Sequence, residues 1–132
     1  MNKEKLTQLS ESLLEIPGRI SELQGRILDY NEQAQILSGE IALKESAIKT
    51  EINAQTDDNG KKLYTNAESR EAAFMETAKD NSELKDLKSK LSSYQGYVAI
   101  EKIKLEALNN EQRNIRSILH FFSGAENEML LS

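Results

Sequence analysis

Cysteine and tryptophan are absent from the 132 residues, proline and histidine occur once each, and glycine occurs six times. Without cysteine there is no disulfide framework and no thiolate for catalysis or metal binding, and the redox compartment stays open. So few prolines and glycines leave little material for a turn-rich β fold. Aromatic residues make up 5% and hydrophobic residues 38%, against 30% charged. That is a thin supply of large apolar side chains for a globule, and it suits elongated helices that each bury one narrow stripe. No apolar run is long enough to cross a bilayer, and the opening MNKEKLTQLSESLLEI lacks the apolar core of a signal peptide. A soluble cytoplasmic protein of one domain, residues 1–132, is therefore expected.

What is present is a charge imbalance and a rhythm. The net charge is −5, from 17 basic and 22 acidic side chains, so bulk electrostatics do not favour nucleic acid or acidic membranes. Residues 1–60 hold 6 basic and 11 acidic groups, whereas residues 61–132 hold 11 of each. An anionic partner would meet the second half. Steps of three and four from Leu6 give Leu9, Leu13, Ile16, Ile20, Leu23, Ile27, Tyr30, Ala34, Leu37 and Ile41, all apolar. A 3.5-residue repeat over about five heptads keeps one seam turned to a partner helix. Past Ile41 the series meets Lys44 and Glu51, and the stripe is expected to drift towards Leu43 and Ile52. EIPGRI interrupts the helix chemistry, because Pro17 removes an amide donor and Gly18 loosens the backbone. The helix either starts again at Pro17 or kinks there, and the unbroken heptad phase favours the kink.

DDNG, residues 57–60, is turn chemistry, and the second half opens after it. Thr65 with Glu68 forms a capping-box pattern, with Asn66 as a rival cap. Asp80 with Glu83 is a second start signal, so a break near Asn81 is expected. The three–four spacing returns through Leu84, Leu87, Leu91, Tyr94 and Val98, then Leu105, Leu108, Ile115, Leu119 and Phe122, with Glu101 and Gln112 as interruptions. Gly124 in FFSG supplies a stop. The expected architecture is all-α, an elongated antiparallel helical hairpin or coiled coil. Its helices cover about 3–55, 66–79 and 82–122, with a loop over about 56–65 and a tail at 125–132. At 1.5 Å per residue the first helix would reach about 80 Å. It cannot bury its stripe except against another helix, and polar seam positions make a lone hairpin marginal, so self-association is expected.

Chemistry is scarce. From Asp57, Gly60 falls fourth and Glu68 twelfth, which fails the EF-hand pattern, so the loop reads as a solvated turn. His120 has no second histidine or cysteine to make a metal site, and its place beside Phe121 and Phe122 suggests an interface or partly buried ring. There is no phosphate loop and no nucleophile with a base. Neither catalysis nor a cofactor, metal or small-molecule substrate is expected. One constellation points to a ligand. Lys61 and Lys62 sit in the loop next to Tyr64, with Arg70 in the helix that follows, while Lys102, Lys104, Arg113 and Arg116 share a stretch with Glu106 and Glu111. Cations beside an aromatic ring hold single strands by phosphate pairing and base stacking. The bland reading is a solubilising charged surface, and several copies around one assembly would make weak sites additive.

The run from Tyr64 to Leu119 resembles the phage recombination mediators of the UvsY type. The resemblance is carried by an aromatic residue at the loop's end, a helix with an acidic–basic start and the A-K-D element at Ala78 to Asp80. It continues through the spacing Leu87, Leu91, Tyr94 and Val98 and the late basic pair Arg113 and Arg116. It implies an oligomeric helical protein that binds single-stranded DNA and helps load a RecA-like recombinase. The alternative is a coiled-coil adaptor, assembly chaperone or secreted helical-hairpin effector acting through protein contacts alone. The missing tryptophan lowers the last of these, since such hairpins carry a W-x-G turn.

Overall fold

The computed structural model describes residues 2–131, with side chains described for residues 2–124. The protein is all-α. Helix α1 spans Lys3–Ala54, α2 Ala67–Asp80 and α3 Ser82–Leu131, with no named strand among the described residues. Asn2 opens α1, its side-chain oxygen accepting from the Lys5 amide at 2.9 Å. α1 then runs through Pro17 without a new start, so the restart considered for EIPGRI does not occur. The ring costs the turn one hydrogen bond. Yet Ile16 beside it is only 1% exposed, so the inward face is held there by packing.

The loop, residues 55–66, is more ordered than a bare connection. The Gly60 amide donates to the Asp57 carbonyl at 3.0 Å, and Gly60 has φ of 79°. Asp57 Oδ1 accepts from the amides of Asn59 and Lys61 at 2.9 and 3.0 Å. A tight turn followed by a left-handed glycine closes a miniature hairpin, with a single antiparallel bridge between Thr56 and Lys62.

Asn66, not Thr65, caps α2. Its side chain accepts from the Ser69 amide at 2.8 Å, and Ser69 Oγ accepts in return from the Asn66 amide at 3.4 Å. Asn81 ends α2 in an extended conformation (φ −80°, ψ 110°) and caps α3, accepting from the Leu84 amide at 2.9 Å. Asp80, the expected start signal, is the last residue of α2. The stop expected at Gly124 does not occur either, since α3 continues to Leu131. A glycine stop needs the left-handed conformation, which among the described glycines only Gly60 adopts. The expected tail at 125–132 is thus helical as far as Leu131, and the rest lies outside the described residues.

The chain divides into two compact units: Met1–Asp29 with Tyr97–Ser132, and Tyr30–Gly96. In the first, Ile16 and Leu23 of α1 pack with Leu108 and Ile115 of α3, flanked by Leu9, Leu13, Ile20, Leu105 and Leu119. In the second, Ile41, Ile48 and Ile52 of α1 meet Phe74 of α2 and Leu84 of α3, with Tyr64, Ala73, Ala78, Leu87 and Leu91 against them. The Tyr30 and Tyr94 rings lie 6.0 Å apart at 45°, and the Lys49 ammonium sits 4.7 Å from the Phe74 ring centre. Each apolar position of the two expected seams is buried or half-buried. The expected drift is half wrong. Ile52 is 3% exposed, but Leu43 is 74% exposed. The seam instead passes through half-buried Lys44, whose ammonium is paired with Glu83. Glu101 and Gln112 do not interrupt the second seam; they occupy it, buried and half-buried.

Candidate nucleic-acid interface

The eight candidate residues fall into two groups, one in each unit. Lys61, Lys62, Tyr64 and Arg70 belong to Tyr30–Gly96; Lys102, Lys104, Arg113 and Arg116 belong to the other unit.

In the loop group, backbone hydrogen bonds of the miniature hairpin fix Lys61 and Lys62 while their side chains stay exposed. Neither lies within ion-pair distance of a carboxylate among the described residues. Tyr64 is half-buried and packs against the cluster around Phe74. Its ring is committed in part to the fold, which limits the face it can offer a base. Arg70 is half-buried and borders a cavity of about 230 Å³ with Lys49, Ile52, Asn53, Glu71 and Phe74. Lys49 is therefore a further cation beside Arg70. Sequence reading missed it because it lies on α1, 21 positions away from Arg70.

In the α3 group, Lys102 and Arg116 are exposed and have no side-chain partner among the described residues, while Arg113 donates to Asn110 Oδ1 at 2.8 Å. Lys104 differs. Its ammonium lies 3.5 Å from Glu101 Oε1, and Glu101 Oε2 lies 3.6 Å from the Arg26 guanidinium. The Glu101 side chain is only 9% exposed, and Oε2 has no hydrogen-bond partner among the described residues. A buried carboxylate is costly unless cations offset it, and α1 and α3 each supply one. Lys104 is thereby partly neutralised as a phosphate ligand. A cavity of about 470 Å³ opens beside this triad, bordered by Arg19, Glu22, Arg26, Lys104, Ala107 and Glu111 among others. Three cations and two carboxylates border it, and Glu101 beside them pairs with two of the cations, so the charges balance. Arg26 and Glu101 escape sequence reading as a site, since Arg26 looks like an ordinary surface charge and Glu101 like a mere interruption of the seam until the helices are paired. His120 is exposed rather than buried.

No helix among the described residues is long and apolar enough to cross a membrane. Comparison with family models, with curated proteins and with solved structures finds no match for this chain.

Proposed function

We propose that the chain is a non-enzymatic, self-associating helical hairpin that binds single-stranded DNA and assists a RecA-like recombinase, in the manner of a recombination mediator. The hairpin is antiparallel and bends at Pro17. Support for the pairing comes from contacts that run in opposite directions along the two helices: Tyr30 meets Tyr94, and further along α1 Lys44 meets Glu83. The observation that carries the DNA-binding reading is that Lys61, Lys62, Lys102, Arg113 and Arg116 are exposed cations with no carboxylate partner among the described residues. Lys61 and Lys62 are the primary phosphate ligands, since a folded turn holds them and neither is ion-paired with a carboxylate among the described residues. Arg70 and Tyr64 extend that contact, and Lys104 contributes least.

Fluorescence anisotropy with a labelled oligonucleotide tests this. Binding at low salt is expected, with log affinity falling by about 0.7 per phosphate neutralised for each decade of salt. Reversing Lys61 and Lys62 to Glu should weaken binding at least about tenfold. A wild-type protein that ignores the oligonucleotide at low salt overturns the reading.

A second reading, a coiled-coil adaptor or assembly chaperone without nucleic acid, is favoured by a different observation. Large apolar side chains stand in solvent on α1 and α3, among them Leu14, Leu28, Ile100 and Ile103. Such faces belong to proteins that bind proteins. An adaptor would retain a protein partner in a pull-down and show no oligonucleotide binding.

A further inference from the structure

Two surface features, each contained in one unit, complement one another. The first lies on α1, on the side away from Ile16 and Leu23. Leu14, Gly18, Ser21, Gly25 and Leu28 follow at alternate steps of four and three, so they share one helix face. Leu14 is 82% and Leu28 60% exposed. A Cβ added at Gly18 or Gly25 would meet nothing within 4 Å, so the chain's own packing does not explain these glycines. Glycine inside a helix is unfavourable, and here it bares the backbone for a close approach. Along one edge of this stripe run Glu11, Glu15, Glu22 and Asp29, of which only Glu22 is ion-paired among the described residues, with Arg26 at 3.8 Å.

The second feature is a groove of about 500 Å³ where α2 gives way to α3. Its floor is Phe74, Met75, Ala78 and Leu84, and Met75 is 63% exposed. Lys79, Lys85 and Lys88 rim it, all exposed and none paired with a carboxylate among the described residues, against Glu71 alone. An apolar floor with a lysine rim fits an amphipathic helix with an acidic edge, which is what α1 presents.

We infer that a second copy of the chain lays its α1 face, Leu14 to Leu28, into the lysine-rimmed groove between α2 and α3. The inference rests on the self-association in the proposed function and names its surface, using lysines outside the proposed DNA contact. Apolar contact supplies the attraction; Glu11, Glu15 and Asp29 against Lys79, Lys85 and Lys88 set the register, as flanking charges do in paired helices. Each copy offers one face and receives another, so the contact is heterologous unless two copies exchange it reciprocally.

Charge reversal with rescue tests this by light scattering on the full chain, with circular dichroism to confirm that each variant is helical. Glu11→Lys/Glu15→Lys and, separately, Lys85→Glu/Lys88→Glu should each weaken association about tenfold or more. Mixing the two variants should restore it. An oligomer whose mass neither reversal changes, or that mixing does not restore, overturns this contact while leaving self-association standing. A wild-type monomer at every concentration removes self-association itself. If Lys85→Glu/Lys88→Glu abolishes oligonucleotide binding and leaves the mass unchanged, the groove is a nucleic-acid surface and the docking is wrong.

Discussion

Glu101 lies where a leucine would be expected, and its two cations determine what replacing it does. Arg26 and Lys104 have side chains 50% and 56% exposed, so water solvates them if the carboxylate goes. Glu101 is buried and has no such recourse. Removing Arg26 should therefore cost more than removing Glu101. Arg26→Ala is expected to destabilise by about 1–2 kcal/mol in urea unfolding, whereas Glu101→Leu should be neutral or stabilising. A Glu101→Leu protein markedly less stable than wild type would show that the ion pairs, not the packing, hold this part of the seam. Glu83 presents the exposed counterpart. The Lys44 hydrogen bond, then its charge, hold the Glu83 carboxyl below its ordinary value of 4.5. A depressed folded-state pKa contributes stability above the unfolded value and loses it as pH falls through the folded one. Lys44→Met should thus reduce stability slightly at neutral pH, and the gap to wild type should begin to narrow near pH 4.5 and close as pH falls through the lower folded-state value. A gap that persists in acid would assign the effect to packing of the lysine stem instead.

The elements show how far the sequence could be read. Leu6 through Ile41 could be placed inward from spacing alone, because a 3.5-residue repeat of leucine and isoleucine has only one way to be buried. Lys44 could not, since a lysine in the seam is acceptable only when a partner such as Glu83 reaches it from another helix. The choice between Thr65 and Asn66 as cap, and between Asp80 and Asn81, depends on one residue of backbone geometry that adjacent polar side chains do not fix. Gly124 looks like a stop, but a glycine followed by helix formers can equally continue the helix. In the candidate site, the loop cations were legible and their grouping was not, because Lys49 and the Glu101 triad exist only once α1 lies beside α2 or α3. The lysine-rimmed groove was invisible for the same reason. It depends on the break at Asn81, where α2 ends and α3 begins. Asn81→Ala removes that cap and should cost about 1 kcal/mol by urea unfolding, with amide protection lost first around Leu84. A loss spread evenly over the chain would mean the cap is not what anchors the junction.

For the whole molecule, the functional proposal depends on α1 folding back on α3 within one chain. Only then do the seams bury themselves, leaving the loop lysines, the glycine-lined face and the groove available to partners. Tyr30 and Tyr94 sit opposite each other in the seam, and the chain has no cysteine to confuse a labelling experiment. The most direct measurement is therefore cross-linking of a Tyr30→Cys/Tyr94→Cys protein with a short bismaleimide under dilute conditions. Pairing within the chain predicts a cross-linked species that keeps the mass of one chain on a denaturing gel. Cross-linked dimers and larger species, with no internally bridged chain, would contradict it.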